Sequence, residues 1–231
     1  MNQESRWHNE KMDFFEGLEE EKDFFMSRAK RRVLAKNSMI FFEEDPGQYC
    51  YYLEKGIVRI FKISSSGKEP IYFIRRHGDM FGMAEVIDFH PRKSNAQSLA
   101  ESIIWELDRK DFQDMIEHYP NFAKRIISCL GQRIRYLGDQ VENLMVCDVE
   151  TRLAKLVISL AYDNINSEED WERPVTIDKK ITQEQMASMT GSCQQTVSNI
   201  LKKFQKEGLI QGTRGALKVT NPLQLIRKAE H

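Results

Sequence analysis

The feature that most constrains this chain is a four-three repeat of apolar residues between positions 120 and 146. The residues on this repeat are Ala123, Ile127, Leu130, Ile134, Leu137, Val141 and Leu144. A heptad pattern sustained over about three heptads predicts one long α-helix with a single narrow apolar stripe. Pro120 suits the first turn of that helix, where its missing N–H costs no hydrogen bond.

The stripe is narrow because polar and charged residues flank it: Arg133, Arg135, Asp139, Gln140, Glu142 and Asn143. A narrow stripe is typical of a coiled coil between two copies of the chain. We therefore expect a homodimer. The expected interface consists of Ile127, Leu130, Ile134, Leu137, Val141 and Leu144. The alternative is a helix that packs against its own domain.

Residues 39–107, before this helix, alternate between short apolar stretches and turn residues. The stretches are rich in aromatic and β-branched residues, which favour strands: Met39–Phe42, Tyr49–Leu53, Ile57–Ile63, Ile71–Ile74 and Ile103–Leu107. Many short strands with frequent turns predict an antiparallel barrel or sandwich. The interior of a small closed barrel is either filled by side chains or holds one small ligand.

After the long helix, the sequence predicts a second helix and then a polar loop. Asp148 can cap the second helix, which fades at Asn164. The predicted domains are residues 1–119, residues 120–147 with the long helix and hinge, and residues 148–231.

Residues 182–204 have the pattern of two short helices joined by a turn with glycine. Thr182 and Gln185 predict a capping box for the first helix, and Ser192 and Gln195 predict a second box for the next helix. The predicted small core consists of Met186, Val197, Ile200, Leu201 and Phe204. Residues 209–219 predict a β-hairpin wing, so the whole reads as a winged helix-turn-helix. The alternative is a helical hairpin that serves protein contacts.

In a helix-turn-helix, the N-terminal end of the second helix enters the major groove of DNA. The expected base-reading residues are Gln194, Gln195, Ser198 and Asn199. Because Gln and Asn pair bidentately with adenine, we expect an adenine in each half-site. The expected phosphate contacts are Thr182, Ser192, Thr196, Lys180, Lys202, Lys203, Lys206 and Arg214. Residues 173–231 carry ten Lys/Arg and four Asp/Glu, a net charge of +6 on a chain of net charge −1, which favours a polyanion as ligand.

Several other classes of protein are disfavoured. Apolar residues make up 41% and charged residues 30% of the chain, as in globular proteins, and no apolar stretch is long enough for a membrane span. The N-terminus does not resemble a signal peptide, so we expect a cytoplasmic protein. No nucleotide-binding loop, nucleophile elbow or zinc-protease motif occurs, so we expect no catalytic residues, no metal site and no enzymatic activity.

The order of β-roll, long dimer helix, hinge and winged helix-turn-helix resembles the CRP/FNR superfamily of bacterial transcription regulators. The resemblance covers nearly the whole chain. Its most specific motifs are Gly78–Gly82, Val141–Leu144 running into Asp148–Ala154, Ile181–Glu184 and Gly191–Leu201. It implies an α+β fold with a cyclic-nucleotide-binding-like β-roll that senses a small effector, a DNA palindrome as partner, and RNA polymerase as a further partner.

The positions that bind cAMP in this family differ here. Met83 stands where cAMP binders have a glutamate for the ribose, and Leu137-Gly138 stands where they have Thr-Ser for the adenine. Lys93-Ser94 aligns with their phosphate-binding Arg-Ser pair. We therefore expect an effector other than cAMP. The predicted pocket consists of Gly82, Met83, Glu85, Arg92, Lys93, Ser94, Leu137 and Gly138, and its basic residues admit an anionic ligand.

Two other sensing branches of the family also fit poorly. The iron–sulfur branch uses N-terminal cysteines, and the first cysteine here is Cys50. The haem branch places its ligands where this chain has Gly82 and Ala84. A redox- or metal-responsive regulator that uses its cysteines remains the alternative, and Cys193 is notable because a helix N-terminus favours a thiolate. The recognition helix lacks the family's usual Glu and Arg, so we expect an altered operator sequence.

Overall fold

The computed structural model describes residues 13–162, 164–165, 171, 173–177, 181–213 and 216–229. The chain divides into two compact units, one ending at Gln132 and the other beginning at Arg133. The division falls inside the long helix α4 (Pro120–Val146), whose bounds are those predicted from the heptad repeat.

The first unit contains two four-stranded antiparallel sheets. One sheet has the order β1 (Lys30–Leu34), β8 (Ser102–Asp108), β3 (Tyr49–Lys55) and β6 (Met80–Phe81). The other has the order β2 (Met39–Phe41), β7 (Asn95–Ser98), β4 (Ile57–Phe61) and β5 (Ile71–Arg76). The helices outside the sheets are α1 (Glu19–Arg28), α2 (Ala84–Ile87) and α3 (Arg109–His118). The predicted β-rich N-terminal fold is confirmed. The ends of the five predicted strands differ by a few residues from those observed, and β1, β6 and β7 were not predicted.

Strand β7 is polar in sequence but largely buried, and its apolar content alone does not identify it. The Oδ1 atom of Asn95 accepts a hydrogen bond from the Glu43 N–H at 3.0 Å. The hydroxyl of Ser98 donates to the Ala35 carbonyl at 2.7 Å. Because both side chains find backbone partners, their burial does not leave polar atoms unsatisfied.

The second unit is built around α5 (Val149–Tyr162), which packs against the helices and sheet that follow it. These elements are β9 (Val175–Ile177), α6 (Gln183–Thr190), α7 (Gln194–Lys206), β10 (Ile210–Thr213), β11 (Ala216–Val219) and α8 (Pro222–Ala229). Strands β10 and β11 form the predicted wing, and β9 extends it to a three-stranded sheet. The winged helix-turn-helix fold is therefore confirmed.

The core of the second unit includes the residues predicted from the sequence. Met186, Val197, Leu201 and Phe204 are buried, and Ile200 is partly buried against them. Helix α5 contributes a continuous apolar face to the same core: Leu153, Ala154, Val157, Ile158, Leu160 and Ala161. Burial of these side chains fixes the angle at which α6 and α7 meet.

Phe122, at the start of α4, closes the aromatic cluster of the first unit. Its side chain is fully buried, and its ring lies 5.6 Å from Phe14 and 5.7 Å from Phe112, both edge to face. Phe15 stacks on it at 6.1 Å. Burial of these rings ties the helix to the β-roll unit.

We expect Phe122→Ala to lower the free energy of unfolding of this unit by about 3–5 kcal/mol, because the truncation removes buried apolar area and leaves a cavity. Asn121→Ala, one residue earlier on the exposed face of the helix, is the control and should change stability by less than about 0.5 kcal/mol. Urea unfolding followed by circular dichroism measures both. Equal effects of the two variants would contradict this assignment of Phe122.

Candidate functional site

The first helix of the helix-turn-helix begins with the predicted capping box. The Gln185 N–H donates to Thr182 Oγ1 at 3.1 Å, and the Thr182 N–H donates to Gln185 Oε1 at 3.0 Å. Helix α6 ends at Gly191, whose φ of 62° is left-handed and favours glycine. The turn therefore begins where the sequence places it.

The second predicted capping box is wrong. The N-cap of α7 is Cys193 rather than Ser192, and no side chain caps this helix. The Cys193 Sγ lies 3.1 Å from Thr196 Oγ1 instead. The extended backbone at Cys193 sets the helix start one residue later than the Ser192–Gln195 pattern requires.

Arg152 on α5 fastens the helix-turn-helix to the end of α4. Its Nε donates to the Thr190 carbonyl at 2.9 Å, and its Nη1 donates to the Cys147 carbonyl at 2.6 Å. Both carbonyls lie at helix ends, where no intrahelical N–H reaches them. Asp148 caps α5 as predicted, accepting from the Thr151 N–H at 2.8 Å, and this hydrogen bond lowers the pKa of Asp148.

The four predicted base-reading residues lie on the N-terminal half of α7. Gln194, Gln195 and Asn199 are exposed, and Ser198 is partly exposed. The Gln195 Nε2 donates to Asn199 Oδ1 at 3.1 Å, so the two amides are coupled. The opposite face of the helix carries the buried core residues. Helix α7 therefore presents amide and hydroxyl groups on one side of a firmly packed scaffold.

The predicted phosphate contacts that the structure describes are all accessible to solvent. Thr182, Lys202, Lys203 and Lys206 are exposed, and Ser192 and Thr196 are partly exposed. Lys180 and Arg214 lie outside the described residues. Lys203 differs from its neighbours because its ammonium group lies 2.6 Å from the Glu150 carboxylate.

Glu150 is the centre of an ion-pair network that joins three helices. Lys203 on α7 and Lys228 on α8 bind its two carboxylate oxygens at 2.6 and 3.1 Å. Lys228 also binds Glu207 at 2.8 Å. Partial burial acts to raise the pKa of Glu150, but the hydrogen bonds from the two lysines outweigh it and lower this pKa. The pattern of the sequence singled out neither Glu150 nor Lys228 for this role, since residues 78 positions apart give no local signal.

The heptad stripe of α4 is uncovered along much of its length in the chain. Ile127 and Ile134 are each 70% exposed. Leu137, Val141 and Leu144 are also exposed, while Leu130 is partly buried. A row of large aliphatic side chains in water is unfavourable, and such a row marks an interaction surface.

Arg92 is the central side chain of the predicted effector pocket. Its guanidinium group is almost fully buried and donates to the Gly82 carbonyl at 2.9 Å, to Glu85 at 3.1 Å and to the Tyr49 carbonyl. It lies 4.3 Å from the centre of the Phe41 ring. The Nε atom of Arg92 is buried without a hydrogen-bond partner. Arg92 is thus paired with the partly exposed Glu85 of α2, while its own guanidinium group is buried.

Gly82 is required for this close approach. Its φ of 70° is left-handed, and a Cβ atom there would lie 3.0 Å from Arg92 Nη1 and 3.1 Å from the Tyr51 ring. Tyr51 stacks on Phe81 at 5.0 Å and on Phe41 at 5.7 Å. The sequence predicts strands for Phe41 and Tyr51 but does not indicate their place around Arg92, because an aromatic side chain in a strand usually signals core.

The other predicted pocket residues are distributed differently. Met83 is fully buried in the cluster that contains Phe15 and Phe122, which is separate from the cluster of Tyr51 and Phe81. Lys93 is exposed and lies 3.9 Å from Glu44, and Ser94 is partly exposed. Leu137 and Gly138 lie on α4 beyond the boundary of the first unit and are exposed within the chain.

The four cysteines lie in different environments, and all are free thiols. Burial raises the pKa of the Cys50 thiol, whereas Cys193 is exposed. Cys147 lies between helices α4 and α5, with its Sγ 3.3 Å from the ammonium group of Lys155. No three His, Cys, Asp or Glu side chains of the described residues are close enough together to hold a metal ion. Among the same residues, none of the helices has the length and apolar character that a membrane crossing requires.

Two family models match the chain, one for each of its two units. The cyclic nucleotide-binding domain matches residues 31–119, and the Crp-like helix-turn-helix domain matches residues 151–228. The first match covers the β-roll and the second covers the winged helix-turn-helix.

Relatives and solved structures match across most of the chain. The CRP-like cAMP-activated global transcriptional regulator of Mycobacterium tuberculosis is 28% identical over 82% of this chain and 84% of its own. The structure of a CooA mutant from Carboxydothermus hydrogenoformans matches 96% of this chain and 98% of its own, with a TM-score of 0.78 and 19% identity. The c-di-GMP-responsive global regulator CLP of Xanthomonas campestris matches 88% and 99%, with a TM-score of 0.75 and 17% identity.

The environment of Cys193 predicts an unusually reactive thiol. Hydrogen bonds from the Thr196 side chain and from backbone N–H groups lower its pKa, and the thiolate is the form that reacts with iodoacetamide. Its alkylation should therefore begin at lower pH than that of free N-acetylcysteine. Thr196→Val, which removes the hydroxyl and keeps the side-chain shape, should move the profile to higher pH.

Peptide mass spectrometry after timed alkylation across a pH series measures this rate for Cys193 alone. Cys50, which is buried, serves as the unreactive internal control. Identical profiles for the wild-type chain and Thr196→Val would show that the hydroxyl has no such effect.

Proposed function

This chain belongs to the CRP/FNR family of DNA-binding transcription regulators, and we propose that it is a homodimer that reads a palindromic operator under the control of a small effector. The observation that carries the operator-reading proposal is the N-terminal half of α7, where exposed amide and hydroxyl groups stand on a buried core. Helix-turn-helix proteins insert this part of the second helix into the major groove. We infer that the chain is not an enzyme and acts on DNA and RNA polymerase in the cytoplasm.

We assign the effector site to the interior of the β-roll around Arg92 and Glu85. The Nε atom of the buried Arg92 guanidinium group has no hydrogen-bond partner. Among the described residues, Glu85 provides the carboxylate that binds this group. An anionic group on the effector would exchange with that carboxylate. Met83 is buried in another cluster and offers no hydrogen bond to a ribose, which supports an effector other than cAMP.

Effector binding would act through α4. In this proposal, residues 1–119 are the sensor, residues 120–147 are the dimerisation helix and hinge, and residues 148–231 bind DNA. The effector would change how the two copies of α4 pack near Leu137 and Gly138, and Arg152 would carry that change from the Cys147 carbonyl to Thr190. Both winged domains would then match half-sites about 10 base pairs apart.

A redox-responsive regulator of the same fold is the second candidate. It is favoured by the exposed thiol of Cys193 at the first turn of the recognition helix, with its lowered pKa. Oxidation there would place a bulkier, polar group beside the base-reading residues. Loss of DNA binding with peroxide and its return with a thiol reductant, both absent in Cys193→Ser, would favour this candidate.

Selection from a random duplex pool at two salt concentrations tests the operator. We expect enrichment of a palindrome with an adenine in each half-site, and an affinity that falls steeply as salt rises. A repeat with a metabolite extract provides the effector if the free protein enriches nothing. No enrichment under any of these conditions would favour a helix-turn-helix that serves protein contacts.

We expect Gln195→Ala to relax the base preference within each half-site, with a loss of about 1–3 kcal/mol of discrimination. Affinity for unrelated sequences should stay nearly unchanged, because an amide that reads bases contributes little to phosphate binding. Lys202→Gln is the matched control on the same helix and should weaken all sequences alike. Binding titrations on single-substitution operators measure both, and uniform weakening by Gln195→Ala would remove it from the readout set.

We expect Ile134→Glu to shift the chain toward monomer, because a carboxylate would replace a large apolar side chain in the middle of the proposed coiled-coil stripe. Arg135→Glu introduces the same side chain one position along, outside the stripe, and should leave the dimer intact. Sedimentation equilibrium measures the association. A monomeric wild-type chain, or equal effects of both variants, would contradict the dimer interface.

A further inference from the structure

We propose that Glu150 occupies a binding site for a DNA backbone phosphate formed by Lys203 and Lys228, and that it thereby limits the affinity of the protein for DNA of any sequence. This inference rests on the proposed DNA-binding function. Lys228 lies on α8, outside the recognition helix, and no sequence pattern predicts a phosphate contact for it.

The geometry is that of an anion site with an internal ligand. Two ammonium groups from different helices converge on the two oxygens of one carboxylate, at 2.6 and 3.1 Å. A phosphate diester also presents two anionic oxygens, and lysine ammonium groups bind it as point charges. The side chains of Lys203 and Lys228 are 51% and 31% exposed, so a phosphate can approach both.

Packing of the neighbouring residues fixes the backbone positions of the two lysines. Lys203 is one residue from Phe204, which is fully buried in the core of the unit. Lys228 lies 5.8 Å above the Phe204 ring and is one residue from the buried Ala229. The site is therefore formed by rigid elements rather than by mobile loops.

The surrounding charges make Glu150 the group that competes for Lys203. Among the described residues, Glu150 provides the carboxylate within ion-pair distance of Lys203. Lys228 differs because it also binds Glu207 at 2.8 Å. Without the charge of Glu150, Lys203 would be free to bind phosphate and Lys228 would still be held by Glu207. Glu207 thus offers a control within the same network.

The test compares Glu150→Gln with Glu207→Gln on a duplex of random sequence, titrated at several salt concentrations by fluorescence anisotropy. Each variant removes one negative charge, so long-range attraction to DNA rises equally in both. Glu150→Gln alone should also gain a phosphate contact, which makes the slope of log affinity against log salt steeper by about 0.9. Between about 50 and 200 mM salt, the affinity of Glu150→Gln should therefore fall roughly threefold more than that of the wild-type chain.

A double variant and a folding measurement complete the test. Lys203→Gln in the Glu150→Gln background should return the slope to the wild-type value, and melting curves should show that all variants are folded. Equal slopes for Glu150→Gln and Glu207→Gln, with DNA binding intact, would overturn the site and leave the proposed function standing. A wild-type chain that binds no duplex even at low salt would overturn both.

Discussion

The arrangement of the DNA-binding unit depends on one guanidinium group. Arg152 donates to the carbonyls of Thr190 and Cys147, which lie at the ends of two helices. These carbonyls have no partner within their own helices, so a buried or half-buried arginine gains two hydrogen bonds that no intrahelical donor could make. Because α5 carries Arg152 and also contributes an apolar face to the core, one helix binds the C-terminal ends of both α4 and α6.

The interior of the β-roll follows a different principle, since its central group is an ion pair rather than an apolar side chain. Arg92 and Glu85 form this pair at 3.1 Å, and the guanidinium group is almost fully buried. Removal of Glu85 alone would leave the buried charge of Arg92 without compensation, which is more costly than the pair itself. The aromatic rings of Phe41 and Tyr51 add favourable contacts to the cation.

Elements with a strong period could be predicted from the sequence, and elements held by individual hydrogen bonds could not. The heptad repeat gave the ends of α4, and the Thr182–Gln185 pattern gave the start of α6. Strand β7 was missed because its burial depends on amide and hydroxyl partners far along the chain. The burial of Arg92 and the pairing of Glu150 with Lys228 also depend on tertiary contacts that leave no periodic signal.

The hydrogen bond between Gln195 and Asn199 has a consequence for how operator preference can evolve. Two amides that orient each other do not read two bases independently, because a substitution at one position releases the other from its rotamer. The base preference therefore belongs to the two side chains together and not to either one alone. Changes in the preferred operator would then arise through paired substitutions more readily than through single ones. A code that assigns one base to each residue would not describe this helix.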